Sequence, residues 1–116
     1  SVSLGGVLDN QGGALVSEGS LTARAARLDN RGGTFSSAGA LALTSQAALD
    51  NQGGRLDSRA GNLDLQSGSL DNGAGGVLNS AKGWLKLVTG LFDNSAGVTQ
   101  AQSLEIRAGQ GVRNQQ

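Results

Sequence analysis

The chain has 116 residues, with 9 Lys+Arg against 9 Asp+Glu and a formal net charge of zero, which is one domain's length without the clustered cation surplus that general nucleic-acid binding requires. His, Cys, Met, Pro and Tyr are all absent, which removes imidazole acid–base catalysis, thiol nucleophiles and imidazole or thiolate metal sites. Gly supplies 20 residues and aromatics only 3%, so a globular enzyme core built on large aromatic side chains is not expected.

The hydrophobic fraction of 37% is too high for a disordered chain, and its Leu, Val and Ala recur at regular intervals. No apolar run reaches the roughly 18 residues of a membrane-spanning helix. The first residues also lack the basic start and apolar stretch of a secretory signal; for an exported protein that signal lies outside this piece.

Taken from the N-terminus, the chain repeats one unit. Leu8-Asp9-Asn10 is followed by Gly12-Gly13, Leu15, Ser17, the alternating pair Leu21/Ala23 and a closing Leu28. The second unit has Asn30, Gly32-Gly33, Phe35, Ser37, Leu41/Leu43 and Leu49, and the third has Asn51, Gly53-Gly54, Leu56, Ser58, Leu63/Leu65 and Leu70. The fourth has Asn72, Gly75-Gly76, Leu78, Ser80, Leu85/Leu87 and Phe92; the fifth has Asn94, Ala96-Gly97, Leu104/Ile106 and Val112, and Asn114 opens a sixth. Between successive Asn residues lie intervals of 20, 21, 21, 22 and 20, a period that points to a solenoid.

Inward residues two apart follow the strand period. Helix is disfavoured, since no i, i+3, i+4, i+7 stripe persists and each interior Gly would cost a helix about 1 kcal/mol. The expected fold is therefore all-β: a single segment over residues 1–116 in which each unit of about 20–22 residues is one coil of a parallel β-helix, coils stacking at roughly 4.8 Å.

In the alternation Leu-Asp-Asn, Leu and Asn point inward and Asp outward. Asn10, Asn30, Asn51, Asn72, Asn94 and Asn114 are expected to form a structural ladder, amide bonded to amide along the axis. The Gly pair allows the positive φ that a sharp turn needs, and the Ser column is expected to bond neighbouring coils or backbone at a corner. For Asp9, Asp29, Asp50, Asp71 and Asp93 two readings stand: capping of the Gly turn through their own backbone, or a Ca²⁺-binding carboxylate stripe. Arg113 takes the Asp place in the sixth unit and is expected beside Asp93.

The strings LDNQGG, LDNRGG and LDNQGG, within the longer pattern LDNxGGxLxSxGxLxL, resemble the haemagglutinin repeats of filamentous haemagglutinin-type exoproteins, including the stick proteins of contact-dependent growth inhibition. The resemblance runs from about Val2 to Asn114. It implies a right-handed parallel β-helix from a two-partner-secreted protein of the bacterial surface, passed through an outer-membrane transporter during export; the lack of Cys agrees with passage in an unfolded state. The inserted Gly73-Ala74, Ala96 in place of the first Gly, and Thr99 in place of Leu depart from the pattern.

One coil breaks the repeat with Ala81-Lys82-Gly83-Trp84-Leu85-Lys86-Leu87-Val88. Because Leu85 and Leu87 are inward, Trp84, Lys86 and Val88 should face outward, Trp84 in a column with Ser20, Ala40, Asn62 and Ser103, and Lys86 between Asp64 and Glu105. This is the candidate binding patch; covering a loop or an adjoining segment is the other reading. No catalytic residue, metal site or cofactor is assigned. The expected role is a rod or stalk segment, read as an excised piece of a longer array, packed against neighbouring coils of its parent and touching a host or bacterial cell-surface receptor. The alternatives are a carbohydrate-binding or carbohydrate-degrading β-helix, or a Ca-stabilised repeat module.

Overall fold

A computed structural model describes residues 2–3 and 5–113 of the chain. Asn114 lies outside the described residues. Strands follow one another in the order β1 (Val2–Ser3), β2 (Val7–Asp9), β3 (Ala14–Ser17), β4 (Leu21–Ala25), β5 (Arg27–Asp29), β6 (Thr34–Ser37), β7 (Leu41–Ser45), β8 (Ala48–Asp50), β9 (Arg55–Ser58), β10 (Leu63–Gln66), β11 (Ser69–Asp71), β12 (Val77–Asp93) and β13 (Val98–Arg113). No helix occurs among the described residues.

Every strand pairing is parallel, and each joins a strand to its counterpart one repeat away, which makes the chain a β-solenoid of about five turns. Three faces result. One stacks β1, β4, β7 and β10; a second stacks β2, β5, β8 and β11; a third stacks β3, β6 and β9. The long strands β12 and β13 run around all three faces, pairing with each other throughout and with β9, β10 and β11 through β12.

The core is a set of columns. Leu41 pairs in register with Leu21 and Leu63, and Leu63 with Leu85. On the other faces Leu28, Leu49, Leu70 and Phe92 line up, as do Leu15, Phe35, Leu56 and Leu78. From Leu21 to Phe92 these side chains are buried. Two expected core positions are not: Leu104 is 51% exposed and Val112 also lies open. Both belong to β13, against which no further coil stacks among the described residues, so their outer flanks meet water. Ile106 in the same coil is half-buried.

At the junction between the second and third faces the chain turns in four residues. The N–H of Gly13 donates to Asn10 O at 3.0 Å, that of Gly33 to Asn30 O at 3.0 Å and that of Gly54 to Asn51 O at 2.9 Å. The third residue of this turn needs φ > 0, and Gly12, Gly32 and Gly53 sit at +65°, +64° and +64°. The second Gly of the pair does a different job from the one expected of it: it is not left-handed but tightly approached. A Cβ at Gly54 would collide with Asn30 O of the coil below and with Asn51 Oδ1 of its own coil. Gly33, Gly76 and Gly97 meet the equivalent carbonyls of Asn10, Asn51 and Asn72.

The fourth turn absorbs its extra residue by placing Ala74 (+51°) and Gly75 (+88°) left-handed in succession, the pattern of a type I′ turn. In the fifth, Ala96 holds φ +58° where the other units have Gly, a conformation that costs an L residue roughly 1–2 kcal/mol. Ala96→Gly is therefore expected to raise stability by about 0.5–1 kcal/mol after the greater unfolded-state entropy of Gly is subtracted, and Gly54→Ala to lower it by more than 1 kcal/mol through steric collision. Urea denaturation of the two variants checks both signs.

Candidate functional site

The recurring polar residues come first, because they hold the surface on which any site must stand. Asn10 Nδ2 donates to Asn30 Oδ1 at 2.8 Å, Asn30 Nδ2 to Asn51 Oδ1 at 2.7 Å, Asn51 Nδ2 to Asn72 Oδ1 at 2.7 Å, and Asn72 Nδ2 to Asn94 Oδ1 at 2.7 Å. Each of these amides spends its second proton on backbone: Thr34 O, Arg55 O, Val77 O and Val98 O at 3.0–3.2 Å. Thr99, which replaces an apolar residue of the repeat, donates its hydroxyl to Asn94 Oδ1 at 3.2 Å. Asn30, Asn51 and Asn72 are fully buried, so the ladder faces no ligand.

The Ser column closes the opposite corner. Ser37 and Ser58 both donate to Gly39 O, at 2.8 and 2.7 Å, and Ser80 donates to Gly61 O at 3.1 Å. Ser58 and Ser80 thereby tie each coil to the corner of the coil before it.

The five Asp side chains cap their turns. Each accepts the backbone N–H two residues on: Asp9 Oδ1 from Gln11 at 3.1 Å, Asp29 from Arg31 at 3.2 Å, Asp50 from Gln52 at 3.1 Å, Asp71 from Gly73 at 2.9 Å and Asp93 from Ser95 at 3.0 Å. This is the Asx-turn. No group of three or more Asp and Glu residues that could hold a metal ion is present among the described residues. Asp29 departs from the outward, solvated position expected of the column and is 8% exposed. Its cover is Arg31, whose Nη2 and Nε lie 2.8 Å and 3.0 Å from the two carboxylate oxygens and which also reaches Asp50 Oδ2 at 3.8 Å.

The Arg31 hydrogen bond lowers the pKa of Asp29 below the ordinary carboxylate value, against an opposing contribution from burial, and Asp29 raises the pKa of Arg31 in return. Asp93 is likewise lowered, first by its hydrogen bonds from Ser95 and further by the charge of Arg113, its register partner on β13.

The broken coil stands on the face of β4, β7 and β10. Corners leading into this face carry three residues in the second coil (Ala38-Gly39-Ala40) but four in the third and fourth (Arg59-Ala60-Gly61-Asn62 and Ala81-Lys82-Gly83-Trp84), by the register of Ser37, Ser58 and Ser80 on one side and Leu41, Leu63 and Leu85 on the other. Against β13 the last of these corners is a bulge. It is pinned from below: the backbone N–H of Trp84 donates to Asn62 Oδ1 at 3.0 Å, and a Cβ on Gly83 would strike Asn62 Oδ1 and Gly61 O.

From this bulge Trp84 emerges 44% exposed, next to buried Leu85. Trp84 lines a half-open pocket of about 190 Å³ together with Asn62, Asp64, Lys86, Ala40, Leu41, Ala42 and Leu63. Lys86 pairs in register with Asp64 and Glu105, yet it forms no ion pair within 4.0 Å among the described residues. Val88 is 37% exposed and does not line the pocket; the fold brings Trp84 and Lys86 together and leaves Val88 aside. The residues that sequence reasoning left out of the patch are Ala40, Ala42, Asn62 and Asp64. They were legible as column mates of Trp84 and Lys86, but a depression forms only because two Ala stand two coils below a Trp.

Parallel coils, an internal Asn ladder and an apolar core made of columns define a structural β-solenoid repeat. The Haemagglutinin repeat profile matches residues 1–53 and 54–116, the whole chain, and the chain belongs to the haemagglutinin repeat family, a structural repeat of secreted, surface-associated proteins. Comparison with curated proteins and with solved structures returns no match. Among the described residues no helix is long and apolar enough to cross a membrane.

Asn51→Ala is expected to cost about 1–3 kcal/mol, since Asn30 loses an acceptor and Asn72 Oδ1 loses its donor inside the coil. Asn51→Asp should cost more at neutral pH, because it sets a buried charge against Asn72 Oδ1; chemical denaturation of both variants ranks them. The lowered carboxyls of Asp29 and Asp93 stabilise the fold fully above the unfolded Asp value of about 3.9. That contribution is lost as pH falls through the lower folded values. Thermal midpoints from pH 7 to pH 2 should drop in this acid window, and Asp29→Asn should flatten the drop.

Proposed function

We propose that the chain is a rod segment of a secreted bacterial surface exoprotein, of the adhesin or contact-dependent growth inhibition type, that holds contact surfaces away from the cell that bears it. The observation that carries this reading is the match of the haemagglutinin repeat over the whole chain together with the uninterrupted parallel stacking of its coils. In a solenoid each coil touches only its neighbours, so length is added without disturbing the rest. The repeated residues are all consumed in building: Asn in the ladder, Gly and Asp in the turn, Ser at the corner, Leu in the core. Contact with another surface therefore falls to the residues that do not repeat, of which Trp84 and Lys86 are the most distinctive.

In this setting the partners are neighbouring coils of the parent protein, an outer-membrane transporter during export, and a receptor on a host or bacterial cell. A formal charge of zero argues against general nucleic-acid binding, which draws on a surplus of Lys and Arg. Two-partner secretion and a role in virulence belong to the same reading. The test is adhesion by the purified chain. Beads coated with it should be retained on epithelial or bacterial cells above albumin-coated beads, and retention should fall with Trp84→Ala while the β-sheet circular dichroism is unchanged. Retention equal to albumin on both cell types would leave the chain a spacer and remove the adhesive part of the reading.

A further inference from the structure

Among the eight Asn residues of the chain only Asn72 precedes Gly; Asn79 and Asn94 precede Ser, and the rest precede larger side chains. The following residue governs the chemistry of an Asn, because its backbone nitrogen is the atom that can attack the side-chain carbonyl carbon, and a Cβ beside that nitrogen hinders the approach. Gly73 has no Cβ and lets the backbone reach the cyclic geometry. It belongs to the Gly73-Ala74 insertion, so the fourth unit alone carries this pair.

The fold withholds both partners of that attack. Asn72 is fully buried; its Oδ1 accepts from Asn51 Nδ2 at 2.7 Å, and its Nδ2 donates to Asn94 Oδ1 at 2.7 Å and Val98 O at 3.1 Å, with Gly76 O at 3.3 Å. The Gly73 N–H is directed away from this amide, to Asp71 Oδ1 at 2.9 Å. Its carbonyl is held as well, accepting from the N–H groups of Gly53 and Gly76 at 3.2 and 3.0 Å. Bringing the Gly73 nitrogen onto Asn72 Cγ means breaking the Asp71 hydrogen bond and the ladder bonds on both sides of Asn72, so the reaction waits on opening of the coil.

We propose that Asn72-Gly73 is a deamidation site gated by folding: unreactive in the closed ladder, reactive in the unfolded chain, and barred from the ladder once it has reacted. The Gly73 nitrogen gives its proton to solvent base and bonds to Asn72 Cγ; the Cγ–Nδ2 bond breaks and ammonia leaves, giving a five-membered succinimide. Water then opens the ring to an aspartyl residue or, by attack at the other carbonyl, to an isoaspartyl link whose main chain runs through Cγ. Neither product rebuilds the rung. A carboxylate at this position turns oxygens toward Asn94 Oδ1 and Val98 O, which the amide had supplied with protons, and a buried charge without donors is strongly unfavourable. The isoaspartyl link adds a backbone atom between β11 and β12, against the register that sets Asp71 beside Asp93 and Val77 beside Arg55. The longer the chain stays unfolded, the larger the fraction that loses this rung for good.

The test holds the chain at body temperature in mildly alkaline buffer, once folded and once in guanidinium chloride. Intact mass and peptide fragmentation follow and locate the one-dalton gain, and isoaspartyl methyltransferase labels the isoaspartyl product. In denaturant the fastest modification should fall at Asn72, and Gly73→Ala, compared in the same denaturant where folding plays no part, should slow it about ten-fold or more by restoring a Cβ beside the attacking nitrogen. The folded chain should react about a hundred-fold more slowly than the denatured one, in proportion to the small fraction of time the coil is open. Asn72→Asp, produced directly, should lower the thermal midpoint by about 5 °C or more, and its failure to fold at all is the stronger form of the same result. Equal rates in the folded and denatured chains, a faster site at Asn79 or Asn94 in denaturant, or a midpoint for Asn72→Asp equal to that of the parent chain would each overturn the proposal.

Discussion

The Asn ladder is the interaction on which the rest of the structure depends. Side-chain amides bonded head to tail at 2.7–2.8 Å along the axis can form only if each coil places its Asn directly above the last. A slip of one residue would turn the Leu columns out and the charged residues in, and it would also leave a row of buried amides unpaired. Burial of Asn30, Asn51 and Asn72 thus serves register more than raw stability. The turn chemistry is subordinate to it. The Asp before each Asn caps the turn, the first Gly bends it, and the second Gly is the smallest residue that lets the Asn carbonyl of the coil below come close.

That regime explains how so few aromatic residues suffice. Each coil contributes a handful of Leu, and stacking makes one continuous column from them, with Phe35 and Phe92 fitting into Leu positions. Because the columns run through every coil, apolar burial scales with the number of coils and no large side chain is required to span the interior. The same logic accounts for the open Leu104 and Val112: a column residue is covered only when both neighbouring coils are present.

Against this background the face carrying Trp84 stands out as the place where the repeat relaxes. Lengthening the corner by one residue in the third and fourth coils leaves the ladder and the Leu columns in register, since the extra residue is accommodated outside them. A solenoid can therefore vary its surface at corners with little cost to its core. Trp84, Asn62, Asp64 and Lys86 exploit that freedom, and Asp64 Oδ1 is the one buried side-chain oxygen or nitrogen among the described residues without a hydrogen-bond partner.

Much of this was written in the order of the residues. The spacing of Asn10, Asn30, Asn51, Asn72 and Asn94, the two-residue alternation of Leu41/Leu43 and its counterparts, and the family resemblance of LDNxGG specified a parallel solenoid and its inward and outward faces, because a side chain's direction in a strand follows from sequence parity alone. The outward direction of Trp84 and Lys86 was legible for the same reason. Other features depend on distances between atoms some twenty residues apart in the chain, which no local pattern encodes. They include the division of labour within the Gly pair, the cover of Asp29 by Arg31, the service of Thr99 to Asn94, the exclusion of Val88 from the pocket, and the pocket itself. A pocket needs small residues on one coil, a large one on another and a fixed coil separation between them. Parity placed each side chain on its face; only stacking decided which of them meet.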